Sequence, residues 1–313
     1  MAYPERKKSR AVNNRTIELD VDEFDRLHRQ IVRGSKVDAI TVNSLVCGDA
    51  FEVMPKLENA RFDLLFADPP YNLTKTFAGE TFRVRTSEGY EAWLQSWLSL
   101  CVPLLKATSS VYICGDWRSS GAIQRVGSEF FKLRNRITWE REKGRGAKAN
   151  WKNAAEDIWY FTVSDAFTFN LDAVKQRRSV LAPYKDNGTP KDWDETADGN
   201  FRDTHPSNIW TDITVPFWSM PENTDHPTQK PEKLLAKIIL ASTNAGDLIV
   251  DPFAGSGTTA VAAKKLGRDF VAIESDESYC LLAAKRLELA QNDRSIQGFE
   301  DGVFWERNSK IKK

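Results

Sequence analysis

The chain has 313 residues, 41% of them hydrophobic, and carries 44 basic against 44 acidic side chains. That is enough apolar material for one large α/β domain or two small ones, and the balanced charge gives no global sign of a polyanionic partner. No apolar run approaches the roughly 18–20 residues that cross a bilayer. No hydrophobic leader follows the first residues, and four scattered cysteines and three histidines without ligand spacing speak against a disulfide framework or a metal site. A cytoplasmic protein without metal is expected.

Residues 1–40 read as a basic arm, with the run Arg6-Lys7-Lys8-Ser9-Arg10, and then a helix over 20–34. There Val21, Phe24, Leu27, Ile31 and Val32 recur at helical spacing and a glycine closes the run. Within 41–163, strand-like runs fall at 41–47, 63–67, 110–114, 136–140 and 157–163, with a helix over 90–105. From 164 to 218 the periodicity gives way to Pro, Gly, Asn, Asp and aromatic residues. A stretch of that length is functional or disordered, and its aromatics argue against disorder, so an inserted small domain is expected. Regular organisation resumes over 219–300 with a helix at 230–241, a strand at 247–250, a helix at 258–266, a strand at 269–273 and a helix at 277–290, ahead of a patternless tail over 301–313. The alternation predicts an α/β fold, a mostly parallel sheet covered by helices.

Two segments carry chemistry. The first is an apolar strand, Phe62 to Ala67, that stops at Asp68-Pro69-Pro70-Tyr71. Consecutive prolines lack N–H groups and fix the backbone, so the carboxylate and the neighbouring carbonyls are held at the strand's C-terminal end, where open α/β sheets place ligands. Asp68 and the Pro69 carbonyl could accept the two N–H bonds of an amino group on an aromatic ring, with Tyr71 stacked on the ring. The alternative is a strand ending in a rigid turn.

The second is a buried strand running through Asp251-Pro252-Phe253-Ala254-Gly255-Ser256-Gly257-Thr258 into a helix. Gly255 and Gly257 permit a tight turn and close backbone approach, and the N–H groups opening the helix favour an anionic group. The next strand ends at Glu274, where a carboxylate can accept from two ribose hydroxyls. A nucleoside-type cofactor fits this pair. The glycine loop alone fits a dinucleotide enzyme equally well.

At these residues the sequence resembles the amino-group DNA methyltransferases of bacterial restriction–modification systems. Asp68-Pro69-Pro70-Tyr71 matches their D/N/S-P-P-Y/F motif and the run from Asp251 to Gly257 their F-x-G-x-G motif, and the likeness spans roughly 41–290. The catalytic motif precedes the cofactor loop, as in the permuted β group, and 134–153 and 207–223 are similar to HindIII-type modification methylases. The resemblance implies a Rossmann-like S-adenosylmethionine-dependent methyltransferase sheet. Its halves would be 41–163 and 219–300, with an inserted target-recognition region over 164–218. It implies S-adenosyl-L-methionine as cofactor, double-stranded DNA as substrate and a base swung out of the helix. Functional pairing with a restriction endonuclease also follows, and a homodimer is left open. The Asp-first tetrapeptide implies N6 of adenine; N4 of cytosine and a non-catalytic DNA-binding partner of the same fold are the alternatives.

By the same resemblance Asp68, Pro69, Pro70 and Tyr71 are catalytic. Asp251, Phe253, Gly255, Gly257, Thr258 and Glu274 hold the cofactor. The segment His226-Pro227-Thr228-Gln229-Lys230-Pro231 implies that His226, Thr228 and Lys230 hold its methionine part, and Asp49, after Cys47-Gly48, its adenine. Basic residues cluster as Arg136, Arg141, Lys143, Arg145, Lys148 and Lys152, expected on DNA phosphates, and as Lys175, Arg177 and Arg178 in the insert, expected to read sequence. Plain solvated charge is the alternative for both clusters.

Overall fold

The computed structural model describes residues 10–36, 40–77, 80–141, 149–180, 185–196 and 199–306. Lys143, Arg145 and Lys148 lie outside the described residues.

The apolar runs assemble into a nine-stranded sheet. Its order is Ile31–Arg33, Ser44–Cys47, Asp269–Glu274, Leu248–Asp251, Phe62–Ala67, Leu105–Gly115, Ala155–Thr162, Lys132–Glu140 and Ile209–Trp210. The first six strands are mutually parallel, and Ala155–Thr162 runs antiparallel to both of its neighbours. Both faces are covered, which is why the central strands read as continuous hydrophobic runs. In Phe62–Ala67, Leu64 and Phe66 enter the core beneath helices α5 (Glu232–Ser242), α6 (Thr258–Lys265) and α7 (Glu277–Asn292). Leu65 and Ala67 enter the opposite one, beneath α3 (Ser87–Cys101) and α4 (Ser120–Phe130). Helix α3 buries Tyr90, Leu94, Trp97, Leu98 and Cys101, a single stripe at helical spacing, and starts at Thr86, whose side chain accepts from the Gly89 N–H at 3.1 Å.

The strand Leu248–Asp251 connects onward through α6 to its neighbour on one side, whereas Phe62–Ala67 connects through α3 to its neighbour on the other. Chain connections leave these adjacent strands in opposite directions, and a crevice opens outside their C-terminal ends.

Three elements depart from expectation. The helix expected over 20–34 is a 3-10 turn Val21–Glu23, a short helix Phe24–His28 and an edge strand Ile31–Arg33 pairing with Ser44–Cys47. The β-branched Ile31 and Val32 favour the sheet, and two adjacent apolar positions do not distinguish the two states. The tail carries a strand, Val303–Trp305, too short for its period to register. It lies in a five-stranded sheet with Asp194–Thr196, Gly199–Thr204, Gln176–Ser179 and Phe299–Glu300. Residues 299–305 and the strands of the expected insert are thus one unit, pinned to α5 where Lys233 Nζ donates to the Trp305 carbonyl at 2.5 Å. The last part of the 164–218 stretch returns to the main sheet: Ile209–Trp210 pairs with Thr138 and Trp139, and the Trp139 indole N–H donates to the Ile213 carbonyl at 2.9 Å.

Candidate active site

Four strand ends meet in one cavity of about 870 Å³. Cys47 leads to Gly48 and Asp49, Ala67 to Asp68 through Tyr71, Asp251 to the glycine turn, and Glu274 to Ser275 and Asp276; His226, Thr228 and Lys230 close one side. Sequence positions spread over more than two hundred residues are brought together by the register of parallel strands.

The tetrapeptide is held from several directions. The Tyr90 hydroxyl donates to the Pro70 carbonyl at 3.1 Å, the Asn72 N–H donates to Ser119 Oγ at 3.0 Å, and the Asn72 side chain bonds the Arg85 backbone through both its amide atoms at 2.8 and 3.0 Å. Tyr71 donates its hydroxyl to Asp68 Oδ1 at 2.9 Å, and Lys230 Nζ lies 2.5 Å from Asp68 Oδ2 and 3.2 Å from the Tyr71 oxygen. Burial, and then the Asp68 charge, push the Tyr71 phenol well above its ordinary range, so it stays a donor. Burial opposes the charge on Lys230, but Asp68 and Glu156 outweigh it and hold the ammonium above the usual lysine range.

The glycine turn is built around two buried side chains. Asp251 accepts from the Phe253 N–H at 2.9 Å and from the Thr259 hydroxyl, fixing both limbs of the turn. Burial pushes its carboxyl up to about 7. Arg286, 2% exposed, reaches across from α7 to the Ser256 carbonyl at 2.9 Å, to Thr258 Oγ1 at 2.9 Å and to Glu232 of α5 at 3.0 Å. Gly255 and Gly257 have φ of +53° and +78°, and a Cβ at Gly255 would stand 2.9 Å from His226 Nε2. Glu274 accepts from the Gly255 N–H at 2.7 Å and the Asp276 N–H at 2.8 Å, and burial raises its carboxyl. Asp49 caps the short helix Ala50–Val53 by accepting from the Phe51 N–H at 2.8 Å. Phe253 packs edge-on to Trp97 with ring centres 5.1 Å apart and lies 6.2 Å from Trp93, which with Phe82 forms an aromatic wall of the cavity.

Every catalytic and cofactor residue expected from sequence lines this cavity except Gly257, whose backbone stands behind it against Ala283. Lys230, expected at the methionine part of a cofactor, lines the cavity with its ammonium on Asp68. Three contributors were missed: Glu156, Arg286 and Trp93. Arg286 sits four residues after Leu282 and four before Ala290 on the buried stripe of α7, and a lone arginine there is a signal that sequence alone offers.

The basic residues divide. Arg141 is part of the cavity wall and pairs with Glu156. Arg136 is exposed on its strand, 3.7 Å from Asp157, and Lys152 is exposed. Lys175 pairs with Asp172 at 2.8 Å, Arg177 makes two bonds of 2.8 Å to Asp203, and Arg178 lies 3.8 Å from Glu306.

A family model described as a DNA methylase matches residues 62–285. The DNA adenine methyltransferase YhdJ of Escherichia coli (strain K12) is 34% identical over 258 residues, 80% of this chain and 84% of that one. The Type II methyltransferase M.HpaI of Haemophilus parainfluenzae is 32% identical over 263 residues, 82% and 76% respectively. Among solved structures, the PvuII DNA methyltransferase (cytosine-N4-specific) superposes with a TM-score of 0.58 at 18% identity, over 81% of this chain and 92% of that one. The M1.HpyAVI–SAM complex superposes with a TM-score of 0.52 at 23% identity, over 78% and 98%. These two likenesses concern the fold.

Proposed function

The chain belongs to the DNA methylase family, and from that premise we propose that it transfers a methyl group from S-adenosylmethionine to N6 of an adenine swung out of double-stranded DNA. The observation that carries the reading is the convergence of the Asp68 tetrapeptide, the glycine turn, Glu274 and Asp49 on one cavity. Its volume lies within the range that encloses a cofactor-sized molecule.

The cavity fits the cofactor's parts. The turn at Gly255 has no side chain where a ligand would approach, α6 opens toward the same space, and Glu274 retains acceptor capacity for ribose hydroxyls after its two backbone bonds. Asp49, at the end of the adjoining strand, is placed for the adenine, and His226 and Thr228 for the methionine end. S-adenosylmethionine supplies an electrophilic methyl group. The protein has to supply the nucleophile's geometry and charge.

An exocyclic amine is a poor nucleophile because its lone pair is delocalised into the ring. Accepting its two N–H bonds at Asp68 and the Pro69 carbonyl draws the nitrogen toward a tetrahedral geometry and stabilises the positive charge that grows on it. The prolines and the Tyr90, Ser119 and Arg85 contacts fix these acceptors before the base arrives, so alignment costs little at the moment of reaction. The Tyr71 ring, with its hydroxyl tied to Asp68, offers a flat face for the base.

Adenine is favoured by the Asp-first tetrapeptide and by the relative named as a DNA adenine methyltransferase; a relative named as a Type II methyltransferase supports the restriction–modification setting. The order of the motifs supports the permuted β group, and the stretches 134–153 and 207–223 support a HindIII-type enzyme. In that role the chain is a cytoplasmic, host-protecting partner of a restriction endonuclease. Its halves are 41–163 and 219–300, and the small sheet of the insert is its target-recognition region. Labelled methyl transfer to bacterial DNA, followed by nucleoside digestion, tests the function. N6-methyladenine is expected, N4-methylcytosine would move the target to cytosine, and no labelled nucleoside would refute methyl transfer to DNA.

A further inference from the structure

Lys230 presents its ammonium to two carboxylates at once. Nζ lies 2.5 Å from Asp68 Oδ2 and 3.4 Å from Glu156 Oε2, and the Lys230 and Glu156 side chains are 6% and 4% exposed. Glu156 is anchored at its other oxygen, where Arg141 donates to Oε1. Its Oε2 is buried and accepts no hydrogen bond among the described residues. A buried carboxylate oxygen left without a donor is costly, and the Lys230 ammonium reaches it by a small rotation of a flexible side chain.

The arrangement at Asp68 is the converse. Oδ1 takes the Tyr71 hydroxyl and Oδ2 the ammonium, so the carboxylate assigned to the target amine is neutralised by a neighbouring cation. An amine nitrogen acquiring positive charge at Asp68 would face that cation across a single oxygen, in a site where burial makes the repulsion strong. Asp68 carries a cation where a positive charge is to grow, and a carboxylate oxygen without a hydrogen-bond donor among the described residues lies next to it.

We propose that Lys230 is a travelling counter-ion: it rests on Asp68 while the base pocket is empty and moves to Glu156 Oε2 as the target amine reaches Asp68. This rests on Asp68 receiving the amine, as proposed above. The move exchanges hydrogen bonds only. The ammonium keeps its proton, because the two carboxylates together outweigh its burial. Glu156, braced by Arg141, is then a positioning residue, and the row Arg141, Glu156, Lys230 and Asp68 alternates in charge so that the shift creates no unpaired charge.

Glu156→Gln keeps the acceptor for Arg141 but turns an amide toward Lys230, pressing the ammonium onto Asp68. At saturating S-adenosylmethionine its single-turnover methyl transfer should fall by about tenfold or more, while calorimetric affinity for the cofactor and for duplex DNA stays within about twofold of the parent. Removing the cation should relieve the block. The double variant Glu156→Gln, Lys230→Met should transfer methyl faster than Glu156→Gln alone, an outcome that a merely structural role for Glu156 does not produce. Should Glu156→Gln fail to fold, Glu156→Asp keeps the charge but withdraws it by one methylene, and the same suppression is expected. A single variant within twofold of the parent, or a double variant no faster than the single one, overturns the inference. An active parent with either result leaves the proposed function standing, whereas a parent that labels no DNA removes both.

Discussion

Gly257 is where the cofactor turn is most sensitive to one added carbon. Its φ of +78° lies in the left-handed region, and a Cβ there would stand 2.6 Å from Ala283 Cβ and 3.2 Å from Ala283 Cα on α7. The backbone conformation costs an L-residue about 1 kcal/mol. The contact cannot be relieved by a side-chain rotation, because the obstacle is a β-carbon and a helix backbone in the core, so an overpacking cost of about 1–3 kcal/mol is added. Gly257→Ala should therefore lose about 2–4 kcal/mol in urea unfolding. Its calorimetric affinity for S-adenosylmethionine should also drop, since α7 can move only by shifting the turn that Arg286 ties to it. Ala283→Gly removes the β-carbon, the closer of the two contacts, and leaves the helix backbone and the cost of the left-handed conformation, so the double variant should be more stable than the sum of the single losses predicts, by about 1 kcal/mol or more. Losses that add within about 0.5 kcal/mol, or a Gly257→Ala protein as stable as the parent, would refute the steric argument.

Three further outcomes follow from the same geometry. Asp68→Ala should abolish methyl transfer with cofactor affinity nearly unchanged by calorimetry, and turnover near that of the parent would contradict its assignment to the target amine. The Asp251 carboxyl, pushed up to about 7 by burial, binds its proton more tightly folded than unfolded. Its contribution to stability is therefore complete below about pH 4 and is lost as pH rises to about 7, by at most about 4 kcal/mol. Asp251→Asn should flatten that part of the stability profile in denaturant titrations from pH 5 to 8, and an identical slope in parent and variant would show that the group does not titrate there. Arg286→Met leaves Glu232 with Lys265, 2.7 Å away, as its remaining cation, beside Glu222, whose carboxyl burial and Glu232 already push up to about 7. With the Ser256 carbonyl also losing its donor, it should cost about 1–3 kcal/mol in urea unfolding, and a loss under about 0.5 kcal/mol would mean that the turn is held by other contacts.

The central sheet was legible because both of its faces are covered: strands such as Phe62–Ala67 and Leu248–Asp251 are continuous apolar runs, and the residues that end them are the chemistry-bearing ones. Two short strands were not. Ile31–Arg33 and Val303–Trp305 are three residues long, and what makes them strands is a partner outside the run itself, Ser44–Cys47 for the first and Gln176–Ser179 for the second, which periodicity does not contain. For the same reason the residues expected at the catalytic and cofactor site could be named from the chain, and all but Gly257 line one cavity, but some of their relations could not. Lys230 lies 162 residues from Asp68, and nothing local to His226-Pro227-Thr228-Gln229-Lys230 says that its ammonium turns to the tetrapeptide.

Charge shows the same limit from the other side. Read along the chain, Lys175, Arg177 and Arg178 form a basic cluster as conspicuous as the one that starts at Arg136. In space their partners differ. Arg177 is bonded twice to Asp203 on the adjacent strand, in a two-point geometry that a phosphate could match only by displacing an acid already in place. Arg136 stands exposed with its nearest acid 3.7 Å away, and Arg141 is committed to Glu156 inside the cavity. Among the described residues, charges that look alike in sequence therefore separate into a residue on an open surface, a residue that braces the cavity wall and residues that hold the small sheet together. On this division we propose that, among the described residues, phosphate contact falls to the Arg136 surface. The small sheet would then read DNA through its shape and its polar side chains more than through the charge that first drew attention to it.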